Sequence, residues 1–431
     1  MRQLTVLVLV GLALGLGLIV ANADEPKRDV AQYVDKYEDP VLKEMDEADE
    51  ELKKAAKEKT EELLAAYREA EKERTEPKQK LRFDLGDLVK PTGPEAFTSR
   101  VWHFPPTPQY KTGTCWSFAA TSFLESEMKR LHGREIKLSE MWSAYWEFVN
   151  KARRFIESRG ESHLGHGSQS AAVIRVLGER GAVPRSAYEG VVGEDRRFNH
   201  GLMFENIESL LDWCKANNFW DQDIVIEMVR ELLDATMGRP PETVVWQGRE
   251  VTPQVFLSEV CGIDPSDYVS LISTMEVPFW SRGEYAVPDN WWHDTSYVNL
   301  PLDEWFDIVV RTMTSGNSVV FGGDVSEPGI NGFEDVAVIP TFDIPAAYID
   351  QSARELRFDN GSTTDDHLVH LVGHMKLDGH DWFLIKDSNR SSRHGSHEGY
   401  YFYRDDYVRL KTLMFTIHKD LVRDILERVD G

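Results

Sequence analysis

The chain has 431 residues, of which 41% are hydrophobic and 28% charged, with a formal net charge of -24 at pH 7. This composition is typical of a globular protein with one large domain or two ordinary ones. The negative charge argues against nucleic acid as a partner, because phosphates would be repelled. Three cysteines, Cys115, Cys214 and Cys261, are too few for a disulfide scaffold, and the odd count leaves at least one thiol free.

The first 23 residues have the pattern of an export signal. Arg2 gives a positive start, an apolar run extends from Leu4 to Val20, and Ala21-Asn22-Ala23 forms a small-residue cleavage site. The apolar run is slightly shorter than the ~20 residues of a membrane span. We therefore expect residues 1–23 to be a cleaved signal peptide of a secreted or periplasmic protein without a stable membrane span. An uncleaved membrane anchor is the alternative.

Residues 24–80 form a charged extension. Between Lys43 and Glu76 there is no Gly or Pro, and a thin apolar stripe recurs at helical spacing. Pro40 and Pro77 bracket this stretch, which predicts one long helix. A pro-segment and a solvated helix without a role in activity are both compatible with this pattern.

In residues 81–431, a region with helical spacing of apolar residues is followed by a region of short β-type runs. This order predicts an α+β domain with a helical half and a sheet-rich half. After an extended lead-in, one helix begins near Cys115 and ends at Gly133, and a second runs from about Ser168 to Arg180. The spacing of Trp and Leu predicts a largely helical insertion at about 200–312. The strongest predicted strands are Val319–Phe321, His367–Val372, Trp382–Ile385 and Tyr400–Tyr403.

The most informative local pattern extends from Gln109 to Ala119, QYKTGTCWSFA. A cysteine in the first turn of a helix faces unpaired N–H groups and the positive end of the helix dipole, which stabilise a thiolate. Gly113 allows a tight turn and a close approach of substrate. The Gln109 side-chain NH2 and the Cys115 backbone N–H can bind a developing oxyanion together. The pattern predicts Cys115 as a nucleophile, and a buried structural cysteine is the alternative.

A nucleophilic cysteine needs a base, and the run from Asp366 to Gly373 offers two histidines. His367 and His370 are three residues apart, so they point to opposite faces of a strand and only one can face Cys115. Asp387, at the end of the next predicted strand, can orient the base by accepting its N–H.

A metal site is a competing interpretation of the same region. Carboxylates lie nearby at 365, 366 and 378, but the histidines do not share a strand face and no H-E-x-x-H pattern is present. The six histidines concerned are His367, His370, His374, His380, His394 and His397.

These strings resemble a known family. Cys-Trp-Ser-Phe-Ala at 115–119 with Gln109 before it, Asp366-His367 followed by Val372-Gly373, and Ile385-Lys386-x-Ser388 resemble the papain-like cysteine peptidases. Further stretches resemble the bleomycin-hydrolase-like branch and its bacterial aminopeptidase relatives, over roughly residues 81–420. They are 122–127 (SFLESE), 138–141 (LSEM), 181–184 (GAVP) and 408–412 (VRLKT).

The resemblance implies a papain-like fold of two domains with the active site between them, and a peptidase that acts on peptides or proteins without a cofactor. It assigns Gln109 as oxyanion donor, Cys115 as nucleophile and His367 as general base and acid. It further implies aminopeptidase action and a homo-oligomeric ring, while endopeptidase action stays open.

The sequence departs from the family at the orienting group. The family's Asn-Ser-Trp-Gly reads Asp387-Ser388-Asn389-Arg390 here. An aspartate can still accept the His N–H and favours an imidazolium. Without the Trp we expect this contact to be less shielded from water. A catalytically weakened binding or scaffold protein on the same fold is therefore the alternative function.

Overall fold

A computed structural model describes residues 29–75, 79, 81–162 and 164–431. The predicted signal peptide, residues 1–23, lies outside the described residues. The chain divides into two units, one up to residue 80 and one from Leu81 to Gly431. Over the described ranges, no helix is both long enough and apolar enough to cross a bilayer.

The first unit is dominated by a single helix, α1, from Pro40 to Thr75. The carboxylate of Asp39 accepts a hydrogen bond from the Val41 N–H at 2.9 Å, which satisfies one of the free donors of the first turn. None of its residues is buried, so the predicted apolar stripe faces solvent within this unit. The prediction of one long helix between the two prolines is confirmed.

The helical half of the second unit contains the two helices predicted from the sequence. The helix α2 begins at Cys115 and ends at His132, and Gly133 caps it with a left-handed φ of 67°. The remaining helices are α3 (Glu140–Glu157), α4 (Ser170–Arg180), α5 (Gly201–Ala216), α6 (Gln222–Met237), α7 (Pro253–Val255), α8 (Leu302–Thr314), α9 (Gln351–Asp359), α10 (Asp405–Lys411) and α11 (Arg423–Asp430).

The sheet-rich half contains one large, mostly antiparallel sheet. The strands are β1 (Ser99–Arg100), β2 (Val244–Trp246), β3 (Arg249–Val251), β4 (Tyr268–Ile272), β5 (Ser281–Gly283), β6 (Tyr297–Asn299), β7 (Val319–Gly323), β8 (Ile330–Asn331), β9 (Val336–Ala337), β10 (His367–Leu377), β11 (His380–Lys386), β12 (Tyr400–Arg404) and β13 (Thr412–His418). In the large sheet they follow the order β5-β6-β4-β13-β7-β10-β11-β12-β9-β8, and β1 pairs with β10 beside this path. Strands β2 and β3 form a separate hairpin.

The two largest hydrophobic clusters of the second unit belong to its helical half and to its sheet-rich half. One is built mainly from helices α2 to α6, with Trp116 and Tyr145 fully buried. The other packs α8 against the sheet around Trp305 and Phe321. Helix α2 packs on β10, and Ser122 of α2 lies 2.8 Å from His370 of β10. This is the α+β, two-part layout expected from the sequence.

The segment 200–312 is less helical than expected. Helices α5, α6 and α8 lie in it, but residues 268–299 supply β4, β5 and β6 to the large sheet. Short runs such as Tyr268–Ile272 contain alternating buried and partly exposed residues over only five positions. Over such a length helical and strand spacing cannot be distinguished by hydrophobic pattern, so pairing with β13 decided the outcome.

Candidate active site

Cys115 is the first residue of α2. Thr114 is the N-cap, and its carbonyl accepts the N–H groups of Ser117 and Phe118. The Cys115 N–H therefore belongs to the first turn, whose donors have no partner within the helix and point out of its N-terminus. The side chain is buried, with 8% exposure. The backbone dipoles of α2 thus favour a negative charge where the thiol lies.

The other two cysteines are unlike Cys115. Cys214 and Cys261 are free and fully buried. Burial raises the pKa of Cys261 to about 12, and it raises that of Cys214 as well. A thiol that stays protonated is a poor nucleophile, so neither residue competes with Cys115.

The structure brings His367 and Asp387 together beside Cys115. Nε2 of His367 lies 2.7 Å from Oδ1 of Asp387, and the Cys115 thiol lies close enough to the imidazole to raise the pKa of His367. Because Asp387 occupies Nε2, Nδ1 is the nitrogen left for the sulfur. Asp387 Oδ1 further accepts the N–H of Asn389 at 2.8 Å, which fixes the carboxylate. The three side chains form a thiol–imidazole–carboxylate chain.

The environment of His367 favours the imidazolium. Burial alone would lower its pKa, but the charges of Asp387 and Cys115 outweigh this effect and raise the pKa well above 6.5. The side chains of His367 and Asp387 are only 4% and 2% exposed. The expectation of a poorly shielded contact is therefore wrong. Asp387 is enclosed even without a Trp at position 389.

Gln109 lies on the loop before α2 and is held at both ends of its amide. Its Nε2 donates to the Thr112 carbonyl at 2.7 Å, and its Oε1 accepts from Ser388 Oγ at 2.7 Å. The backbone N–H of Gln109 also donates to the Ser388 carbonyl at 2.9 Å. One N–H of the amide stays available for an oxyanion. Sequence reasoning gave Ser388 no role, although it lies in the Ile-Lys-x-Ser string.

Comparisons with known proteins agree with this geometry. The sequence model of the Peptidase C1-like family matches residues 218–430, which include His367 and Asp387. Aminopeptidase C from Lactococcus lactis subsp. cremoris is 22% identical over 360 residues, covering 74% of this chain and 82% of the relative. Human bleomycin hydrolase is 23% identical over 268 residues, covering 52% and 59%.

A solved structure shows the same fold. PepW from Lactobacillus rhamnosis HN001 superposes with a TM-score of 0.60 at 18% sequence identity, covering 77% of this chain and 84% of that chain. The chain has a papain-like fold, and its relatives indicate a cysteine peptidase.

A second polar group lies behind the catalytic chain of this peptidase. Ser122 Oγ contacts His370 Nδ1 at 2.8 Å and accepts from Lys386 Nζ at 2.8 Å. His370 and Lys386 are opposite each other in the register of β10 and β11, so they share a face that His367 and Asp387 do not. Burial lowers the pKa of His370 well below 6.5 and that of Lys386 to about 8. His370 therefore packs against α2 as a neutral residue.

Three of the four remaining histidines of the cluster have separate carboxylate partners, and the ring of the fourth, His394, packs against Phe333. His374 contacts Asp381 at 2.7 Å, and the two other pairs are His380 with Asp405 and His397 with Asp335, both at 2.9 Å. Among the residues that the structure describes, no three His, Cys, Asp or Glu side chains converge on a point that could hold a metal ion. These histidines lie along two strands and a loop and do not form a common site.

Proposed function

We propose that this peptidase cleaves amino-terminal residues from peptides, with Cys115 as nucleophile, His367 as general base and acid, Asp387 as the orienting group and Gln109 as oxyanion donor. The observation that carries the proposal is the chain of contacts from the Cys115 thiol through His367 to Asp387. The name of the bacterial relatives, aminopeptidase C, supports the exopeptidase direction.

The reaction is an acyl transfer in two steps. The Cys115 thiolate attacks the peptide carbonyl, and the oxyanion that forms accepts hydrogen bonds from Gln109 Nε2 and the Cys115 N–H. The His367 imidazolium gives its proton to the leaving amine, and the C–N bond breaks to leave a thioester. Water then attacks the thioester while His367 removes its proton, and the C–S bond breaks to release the acid and restore the Cys115 thiolate beside the His367 imidazolium.

The proposal is tested with purified protein and leucine 7-amido-4-methylcoumarin, whose hydrolysis releases a fluorescent amine. We expect turnover that is lost on alkylation of the protein with iodoacetamide and unaffected by a chelator. Binding of the substrate without any turnover would instead support the binding or scaffold function that the change to Asp387 suggested.

We also propose export of the protein through its first 23 residues, which supports a secreted or periplasmic location. The pattern of Arg2, the apolar run and Ala21-Asn22-Ala23 supports this proposal. Amino-terminal sequencing of the protein from its native host should begin at Asp24. An intact amino terminus in the membrane fraction would indicate an uncleaved anchor.

A further inference from the structure

The two loops that meet at the oxyanion donor continue into an open cleft. Gln109 and Ser388 are joined by a backbone hydrogen bond of 2.9 Å and by a side-chain hydrogen bond of 2.7 Å. Beyond this junction one loop continues through Lys111 and the other through Arg390 and Arg393, and these three cations line a cleft of about 740 Å³. Lys111 and Arg390 each follow the junction by two residues. Their backbones therefore lie within about 8 Å of it, a distance that roughly two extended peptide residues span.

This cleft is basic although the protein as a whole is acidic. The chain has 73 Asp and Glu against 49 Lys and Arg, so a cation without a carboxylate partner is unexpected. Within the described residues, Lys111, Arg390 and Arg393 form no ion pair, and Nε and Nη2 of Arg393 have no hydrogen-bond partner. Glu398 also lines the cleft but forms no ion pair with them. Three cations thus stand against one carboxylate, which leaves the cleft with a net positive charge.

Two further neighbours of the cleft do not neutralise it. Asp195 is occupied by Arg197, whose Nε and Nη2 donate to its two oxygens at 2.9 and 2.8 Å and lower its pKa to about 2. A Cβ on Gly201 would lie 3.6 Å from Nζ of Lys111, so the ammonium group lies beside the first residue of α5. The N–H groups of that first turn carry a partial positive charge. They therefore add to the positive potential around Lys111.

The sequence of the second loop departs from the family pattern in the same direction. Where the papain-like pattern has Trp-Gly after the serine, this chain has Asn389-Arg390. Oδ1 of Asn389 accepts the N–H of Ser391 at 3.0 Å, so this side chain is held within its own turn. The loop thus lacks the apolar ring and carries a cation where the pattern has no side chain. A ligand with a negative charge gives this change a physical reason.

The chemistry of the reaction indicates which part of a substrate reaches the cleft. His367 gives its proton to the leaving amine, so the leaving segment lies on the side of the imidazole. Asp387 holds that imidazole, and the chain continues from Asp387 through Ser388 to Arg390. The oxyanion lies at Gln109, which contacts the same loop. The leaving segment therefore passes between Gln109 and the loop after Asp387, toward the three cations.

We propose that the cleft lined by Lys111, Arg390 and Arg393 binds a carboxylate of the substrate's leaving segment. The inference rests on the proposed function, because only a cleaved peptide has a leaving segment. It gives that function a substrate class: peptides with an anionic group within about two residues after the scissile bond. Guanidinium groups bind carboxylates through paired hydrogen bonds, and a lysine adds a point charge. The carboxylate belongs either to an acidic side chain or to the end of a short peptide.

The test for an acidic side chain compares two peptides that differ by one charge. Wild type is assayed on Leu-Glu-Ala amide and on Leu-Gln-Ala amide, with the released leucine measured by chromatography. We expect kcat/KM to be at least tenfold higher for the glutamate peptide. Arg390→Gln and Lys111→Gln should each lower kcat/KM on this peptide roughly 5- to 15-fold, between the values of an exposed ion pair and of a charge-assisted hydrogen bond. The loss on the glutamine peptide should be much smaller.

A second pair of substrates tests the other source of the carboxylate. Leucyl-alanine ends in a free carboxylate, and its amide does not. If the cleft binds a terminal carboxylate, wild type prefers leucyl-alanine by at least tenfold in kcat/KM and both variants lose this preference. A preference in either pair that the variants lose supports the inference and identifies the source. Absence of a preference in both pairs, or a preference that both variants keep, overturns it.

The matched control is Arg311→Gln. Arg311 is exposed on α8, does not line the cleft and has no ion pair within the described part of the chain. The variant removes the same charge elsewhere, so its preferences should equal those of wild type. A loss of preference as large as in Arg390→Gln would assign the effect to the net charge of the protein and overturn the inference.

Salt provides a readout that a structural role of Arg390 would not change. The preference of wild type divided by that of Arg390→Gln should fall as sodium chloride rises from about 0.05 to about 0.5 M, because exposed charges are screened. Both proteins share the acidic field of the rest of the chain, so this ratio isolates the cleft. A ratio that does not change with salt would contradict recognition by charge.

Failure of this cleft is distinguishable from failure of the proposed function. Cleavage of all four peptides at equal rates keeps the peptidase and rejects the cleft. Absence of all cleavage rejects the proposed function, and calorimetry on Cys115→Ala then tests the cleft directly. The anionic member of at least one pair should bind at least tenfold more tightly than its neutral partner, and adding Arg390→Gln should reduce the difference. Equal binding within both pairs would overturn the inference.

Discussion

Replacing Asp387 by asparagine tests the electrostatic design of the active site. Oδ1 of Asp387 lies 2.7 Å from Nε2 of His367, and both side chains are buried. An asparagine at this position keeps an oxygen acceptor for the N–H of His367 but removes the negative charge. We therefore expect the imidazole to stay in place while its imidazolium form loses stabilisation.

The expected size follows from Coulomb's law. Two opposite charges about 4 Å apart attract by about 4 kcal/mol at an effective dielectric constant of about 20. This corresponds to about 3 pKa units, and the retained hydrogen bond recovers part of it. The pKa of His367, which Asp387 holds well above 6.5, should fall by about 1 to 3 units in Asp387→Asn.

The assay is the pH profile of kcat/KM at one salt concentration. The active ion pair needs a protonated His367, so its loss of a proton sets the basic limb, and this limb should move to lower pH with about a tenfold loss of peak rate at most. Asp381→Asn is the matched control, because Asp381 on β11 contacts His374 on β10 at the same 2.7 Å. An unmoved basic limb in Asp387→Asn would refute the reasoning. A strong gain in activity would show that the native aspartate weakens the enzyme.

Further predictions concern individual residues of the site. Cys115→Ala should abolish hydrolysis and keep the circular-dichroism spectrum, and unchanged turnover would eliminate the cysteine mechanism. His367→Ala should lower the rate of hydrolysis by orders of magnitude. His370→Ala should mainly lower the melting temperature, since His370 is buried and neutral. A larger loss of rate in His370→Ala than in His367→Ala would contradict the strand register. Gln109→Ala should lower kcat by roughly 10²- to 10³-fold with a small change in KM, and a KM effect alone would speak against an oxyanion role. Because folding raises the pKa of Asp365 from 3.8 to about 8, the native state should lose stability as the pH rises from about 4 to 8. Asp365→Asn should therefore melt at a higher temperature than wild type at pH 9, and equal melting would contradict this.

Local sequence determined the elements that carry the catalytic side chains. Cys115 begins a helix that Gly133 ends, because an apolar face recurs at helical spacing between a tight turn and a left-handed cap. The β-type runs beginning at His367 and ending before Asp387 became β10 and β11 for equally local reasons. Resemblance to a family then supplied the expectation that these residues meet, which neither run could show alone.

Tertiary structure alone decided what surrounds those side chains. The run Tyr268–Ile272 became the strand β4 because it pairs with β13 across a long separation in sequence, and a short apolar run has no preference strong enough to prevent this. The enclosure of Asp387 depends on packing around it, so the absence of a Trp at 389 could not predict exposure. Asp289 and Asp365 approach each other only because a loop from one part of the chain packs on another. Such contacts arise from the folded topology and not from the short-range preferences that a sequence displays, because each carboxylate by itself is an ordinary polar residue in a loop.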